Sequence, residues 1–165
     1  MDSKVIEKSP EIIKNMELVA KYPFLAMREY DWKYYEETGE DRYIIPDDYD
    51  YEFTWLDSMP NGWRIAFGEQ MCEEIMNALI EEDFVDKYSI MQIKEKFGSL
   101  RWYTSGAPQK VHDIVDKYEL ISERTCINCG KPATKISMGW ICPWCDDCAK
   151  NVKGEFWDID EYFEK

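Results

Sequence analysis

The sequence predicts an α+β protein in which helices and a small antiparallel sheet carry a C-terminal treble-clef-like zinc module. Three observations lead there. Apolar residues recur at helical spacing in three segments, and β-branched and aromatic residues flank a turn near Gly98. Five of the six cysteines crowd between Cys126 and Cys148. With 165 residues, 45% hydrophobic and 15% aromatic, the chain can bury one ordinary core and one metal-stapled appendage. The expected division is an α+β body over residues 1–124 and, over 125–165, a zinc module with an acidic, aromatic tail docked on it.

Taken in order, Ser9-Pro10-Glu11 reads as an N-cap, a first-turn proline and an acid matched to the helix dipole. Ile12, Ile13, Met16 and Val19 then follow at helical spacing to about Lys21. Residues 22–63 hold 12 of the 25 aromatics with weak periodicity. Within them Tyr49, Tyr51, Phe53 and Trp55 alternate with Asp50, Glu52 and Thr54, the period-2 pattern of a half-buried strand. Pro60-Asn61-Gly62 signals a turn, after which Ile65, Cys72, Ile75, Met76 and Leu79 form one helical stripe to about Asp83. Cys72 lies on that stripe and is expected as a small buried hydrophobe. Residues 88–94 and 100–104 predict a hairpin turning near Gly98. Pro108 opens a helix with Val111, Ile114, Val115, Tyr118 and Ile121 inward, which leads to Cys126.

Cys126-Ile-Asn-Cys129-Gly130-Lys131 has the form of a zinc knuckle: two thiolates two residues apart share one ion, and the glycine permits the tight turn. Cys142-Pro-Trp-Cys145-Asp-Asp-Cys148 contains two overlapping pairs, and a tetrahedral site takes only four ligands in all. Cys145 and Cys148 are favoured, because Asp146 and Asp147 suit a helix start that residues 149–152 can continue. Cys142 remains the alternative ligand. Four thiolates leave no open position, so the expected zinc is structural.

Charge is segregated within a formal net of −14. The segment 36–57 holds nine acids against Arg42 alone, and 69–86 holds seven acids with no Lys or Arg, so the remainder is about neutral. Such a field repels nucleic-acid phosphate and attracts basic surfaces, although a solvated acidic face also serves solubility. Asp47, Asp48, Asp50, Glu52, Asp57, Glu73 and Glu74 are the candidate partner-binding residues. Dense carboxylates among aromatics present spaced negative charge beside flat apolar groups, as a nucleic acid does. The second reading is a nucleic-acid contact by the hairpin of 87–105. There Lys87, Lys94, Lys96 and Arg101 stand with Phe97, Trp102 and Tyr103; alternatively these cations pair with the preceding acidic helix.

No catalytic residue is nominated. The single histidine, His112, falls on the polar face of its helix, and no glycine loop or serine elbow is present. Residues 1–10 lack the apolar run of a secretory signal, and no stretch approaches the ~18 apolar residues of a membrane span, so a cytoplasmic protein is expected.

Met59-Pro-Asn-Gly-Trp-Arg-Ile-Ala-Phe-Gly68, Gln92-Ile-Lys-Glu-Lys-Phe-Gly-Ser-Leu-Arg-Trp-Tyr103, Thr125-Cys126 through Gly139-Trp140, and Cys145 to Cys148 occur in this order. In that combination the chain resembles, over roughly residues 22–148, a family of small zinc-knuckle proteins carried by bacteriophages and prophages. The resemblance implies a mobile-element origin and a bacterial host cell, with no assigned activity. It also implies a non-ligand residue at position 142, which supports Cys145 and Cys148 as ligands. Together with the charge pattern, it raises the expectation of an inhibitor that occupies a host nucleic-acid-handling protein, such as a CRISPR nuclease.

Overall fold

The computed structural model describes residues 7–164. Residues 1–6 of the stretch read for a secretory signal lie outside the described residues. Helix α1 (Pro10–Lys21) starts at Ser9, whose hydroxyl accepts from Ile12 N at 3.3 Å. Its inward face is Asn15, Leu18 and Val19; Ile13 points to solvent. The face is rotated because Asn15 is held inward by the loop, donating from Nδ2 to Tyr51 O at 2.8 Å.

That loop replaces the strand expected over residues 49–55. Tyr49 N closes a turn on Pro46 O at 3.1 Å, Tyr51 adopts a left-handed φ of 61°, and the Asp50 carboxylate accepts from Glu52 N. An extended ladder cannot pass through these turns. Tyr49, Tyr51 and Trp55 still pack against the core, so their alternation reports burial without pairing. The strand of this region is instead β2 (Tyr43–Ile44), paired antiparallel with β1 (Glu29–Tyr30) across the short helix α2 (Trp32–Thr38).

Residues 61–81 are helical throughout: α3 (Asn61–Trp63), a π turn (Arg64–Gly68), then α4 (Glu69–Glu81). The proline–asparagine–glycine signal therefore starts a helix rather than a loop. The π turn adds a residue to the helical count and rotates everything before it by about 100°. Cys72, Ile75 and Leu79 are fully buried as expected from the stripe, whereas Ile65 is 72% exposed and Trp63, Phe67 and Met71 point inward instead.

Strands β3 (Ile90–Lys96) and β4 (Ser99–Thr104) form the expected hairpin. Phe97 and Gly98 both have positive φ, as a two-residue type I′ turn requires. Helix α5 (Gln109–Glu123) buries Val111, Val115, Tyr118 and Ser122, and the Ser122 hydroxyl accepts from Leu100 N at 2.9 Å. Ile121 is 42% exposed, because Ser122 takes the inward place. The end of the chain is a three-stranded antiparallel sheet in the order β6 (Pro143–Trp144), β5 (Lys135–Ser137), β7 (Phe156–Asp158). The acidic, aromatic tail therefore supplies a paired strand and then helix α7 (Ile159–Phe163).

Trp63 is fully buried and donates from Nε1 to Thr125 O at 2.9 Å, which ties the helix start to the first cysteine loop. Trp63→Phe keeps most of the apolar contact but orphans that carbonyl. It should cost about 1–3 kcal/mol in urea unfolding, and a change under 0.5 kcal/mol would mean the carbonyl finds another donor.

Candidate metal centre

The thiolate site is assembled from two short pieces of chain. In the first, Cys126 N donates to Lys131 O at 2.8 Å and Gly130 N to Cys126 O at 3.1 Å, closing a knuckle with Gly130 at φ 83°. In the second, Cys145 caps α6 (Asp146–Ala149), accepting from Cys148 N at 3.4 Å on its sulfur. Asp146 and Asp147 occupy the first turn of α6, as the sequence suggests, but the helix ends at Ala149 and leaves residues 150–152 outside it. Ile127 N donates to Pro143 O at 2.9 Å and links the two pieces.

The Sγ atoms of Cys126, Cys129, Cys145 and Cys148 all lie within 4.8 Å of one another. A tetrahedral Zn–S length of about 2.3 Å implies S···S edges of about 3.8 Å. Cys129 and Cys145 are already 3.6 Å apart. The donor set suits a soft or borderline metal: four sulfurs, Cys126 and Cys145 buried and Cys129 and Cys148 partly exposed.

Donors surround the sulfurs. Burial opposes charge on Cys126, but the backbone N–H groups of Cys129, Cys145 and Asn128 outweigh it and bring the thiol down to about 7. Asn128 Nδ2 donates to Cys148 Sγ at 3.3 Å and lowers that thiol, while burial and the neighbouring sulfurs of Cys145, Cys129 and Cys126 overcome it and push it up to about 12. Four thiols this close cannot each carry a full charge without a cation between them.

Cys142 stands apart from this cluster. It is fully buried with the main core, its N–H donates to Ser137 Oγ at 3.0 Å, and burial, then Glu95, pushes its thiol up to about 12. Cys72 is likewise fully buried, within the helix stripe, and desolvation raises its thiol.

The site rests directly on the helical start. Gly62 N donates to Ile127 O at 2.8 Å, and a Cβ on Gly62 would lie 2.1 Å from Cys126 O. A Cβ on Gly130 would lie 2.6 Å from Gly62 O. Two backbones thus meet at glycines, a long-range contact that spacing alone does not reveal.

The acidic candidates divide. Asp57 accepts from Thr54 N at 2.7 Å and pairs with Arg64 at 2.6 Å. Glu74 pairs with Lys117 and accepts from the Tyr118 hydroxyl; these two contacts outweigh burial and hold its carboxyl below the usual range. Asp47, Asp48, Asp50, Glu52 and Glu73 are exposed and have no ion pair among the described residues. Asp50 and Glu52 meet only through the local turn bond.

In the hairpin, Trp102 is buried and donates to the Tyr88 hydroxyl at 2.8 Å, so it belongs to the core. Arg101 faces Glu119 of α5 at 3.8 Å, not an acid of α4. Phe97 is 72% exposed at the hairpin tip, and exposed Trp140 donates from Nε1 to Glu95 of the same hairpin at 3.2 Å. Trp140 comes from the loop between β5 and β6, distant in sequence from the hairpin, so no local pattern joins it to Phe97, Trp102 and Tyr103. His112 is exposed on α5. Among the described residues no helix is long and apolar enough to cross a membrane. No protein-family model, curated protein or solved structure matches the chain.

Proposed function

We propose that the chain is a non-enzymatic binding protein of phage or prophage type. In this reading a structural zinc in a treble-clef-like module holds the fold, and an acidic, aromatic surface binds a basic surface on a protein of the bacterial host. A defence nuclease such as a CRISPR effector is the candidate partner, met in the cytoplasm. The zinc would be held by Cys126, Cys129, Cys145 and Cys148 and would supply cross-linking rather than a reactive water, since four thiolates complete its coordination.

The observation that carries the reading is that Asp47, Asp48, Asp50 and Glu52 are exposed without cation partners among the described residues, beside exposed Phe53. Helix α2 adds exposed Trp32, Tyr35, Glu36 and Glu37 and buries none of its residues. Unpaired surface carboxylates keep their field available to a partner. Asp57 and Glu74 are occupied within the fold, so the candidate contact set narrows to Asp47, Asp48, Asp50, Glu52 and Glu73.

The test is capture from bacterial lysate containing defence nucleases, at low and high salt, with Asp47, Asp48, Asp50 and Glu52 all replaced by Lys as the comparison. Salt-sensitive capture of a nuclease by the native chain, reduced at least about tenfold by the replacement, is expected. Equal capture by both proteins would sink the proposal.

A second reading has its own observation: exposed Phe97 at the hairpin tip has Lys96 5.9 Å from its ring, and exposed Trp140 is hydrogen-bonded to Glu95 of the same hairpin. Exposed rings beside cations can stack single-stranded bases. Salt-sensitive mobility shifts lost in a Phe97→Ala, Trp140→Ala double variant would favour it over the acidic surface.

A further inference from the structure

Strand β7 ends the C-terminal sheet, and among the described residues no strand lies beyond it. The ladder fixes which way its main chain points. Met138 N donates to Glu155 O at 2.9 Å, continuing the register in which Ser137 opposes Phe156, and Ile159 N donates to Thr134 O at 3.0 Å in the same register. Hydrogen-bonded pairs alternate along an antiparallel ladder, so Glu155, Trp157 and Ile159 turn their main-chain groups toward β5. Those of Phe156 and Asp158 turn outward. Asp158 is the cap of α7, whose first turn claims its C=O, which leaves the Phe156 N–H, the Phe156 C=O and the Asp158 N–H as the outer edge.

The surroundings of this edge are acidic. Residues 155–164 hold five acids and no Lys or Arg. Glu155, Asp158 and Glu161 are exposed, while Asp160 is engaged by Arg124 at 2.9 Å. The Asp158 carboxylate is held in place, its Oδ1 accepting from Asp160 N at 2.9 Å and Glu161 N at 3.2 Å. A cleft of about 320 Å³ adjoins the strand, lined by Lys135, Phe156, Trp157 and Asp158. An open strand edge is a template for another strand, and the charge beside it selects which. A second copy of β7 would bring Glu155 and Asp158 up against the same acids, so like charge opposes self-pairing and favours a basic strand.

We propose that the outer edge of β7 takes up an extended basic segment of a partner protein as a fourth strand of the sheet. The segment's main chain bonds the Phe156 N–H and C=O and the Asp158 N–H. One Lys or Arg of the segment lays its stem in the cleft along Phe156 and sets its cation at the Asp158 carboxylate. Main-chain bonds of this kind give affinity, and the side-chain contact gives specificity. The edge uses no residue of the acidic surface proposed above and does not rest on that reading.

The test titrates the intact zinc-loaded chain with a capped Val-Arg-Val-Lys-Val-Arg-Val peptide and follows the Phe156 and Asp158 amides by NMR. The comparison probes are the same peptide N-methylated throughout, which keeps the charge but cannot pair, and its counterpart with Glu at each basic position. Saturable shifts and slowed exchange at the two amides are expected, with affinity at least about tenfold weaker for both comparison peptides. Phe156→Pro removes an outward N–H at an edge position that tolerates proline, and should weaken binding about tenfold. Phe156→Tyr keeps both ring and N–H and should bind like the native chain. No saturable shift at millimolar peptide, equal affinity for the N-methylated or Glu peptide, or unchanged affinity in a folded Phe156→Pro would each overturn the proposal.

Discussion

Stripping the metal with a strong chelator is expected to unfold residues 125–158 and to expose Trp63. Structural zinc in thiolate sites contributes apparent binding energy on the order of 10 kcal/mol at neutral pH, comparable to the whole stability of a domain. Here the knuckle closes through few backbone bonds, Cys126 N to Lys131 O and Gly130 N to Cys126 O, and its partner helix α6 has a single turn. Without a cation, the crowded sulfurs would have to bind protons or separate. Separation would reach α3, because Gly62 N and Trp63 Nε1 both donate to the knuckle segment. Tryptophan emission should shift to the red and far-UV dichroism should fall, with one zinc released per chain. Cys129→Ser should reproduce the loss, whereas Cys142→Ala should keep its zinc, since Cys142 packs in the core outside the cluster. A chain that purifies without metal and melts identically with and without chelator would disprove the staple.

Gly62→Ala should be the most damaging single methyl in the protein. Its Cβ would meet Cys126 O at 2.1 Å and Ile127 C at 2.5 Å, both backbone atoms that cannot rotate away. Relief requires moving the knuckle, which breaks the Gly62 N to Ile127 O bond and strains the sulfur cluster behind it. A cost of about 4 kcal/mol or more is expected in urea unfolding, from overpacking together with a lost buried hydrogen bond. Gly68→Ala serves as the control in the same helical run. Its Cβ would first meet the flexible Arg64 side chain at 3.4 Å, and helix propensity favours alanine by about 1 kcal/mol. If Gly62→Ala is as stable as Gly68→Ala, the knuckle does not rest on α3 as described.

These two expectations involve contacts absent from any local pattern. The helix start at Gly62, the hairpin turn and the two cysteine loops, all distant in sequence, meet in space. Gly62 touches the knuckle, and a Cβ on Gly98 at the hairpin tip would lie 3.1 Å from Ile141 O in the second cysteine loop. The helix start, the hairpin turn and the cysteine loops therefore constrain one another through backbone approach. The glycines at 62 and 130 have a packing reason independent of any partner.

By itself, the sequence determined features governed by near neighbours. Ser9-Pro10 set the start of α1, because a cap and a fixed φ act within one turn. Phe97-Gly98 set the hairpin through its turn geometry, and cysteine spacing with the acids after Cys145 favoured the four sulfurs that lie together, leaving Cys142 as the alternative that tertiary structure placed in the core. Tertiary structure alone decided the rest. A π turn changed which residues before Gly68 face inward, exposing Ile65 and burying Trp63. Asn15 reached across 36 positions to Tyr51, in a loop where a period-2 pattern had predicted a strand. Lys117, Tyr118 and Arg64 engaged Glu74 and Asp57 and left Asp47, Asp48, Asp50 and Glu52 without ion pairs among the described residues. The physical reason is common to these cases. Caps, turns and ligand spacing depend on dihedral angles and atoms a few residues apart, whereas helix phase, strand pairing and ion pairing depend on partners that folding supplies from elsewhere in the chain.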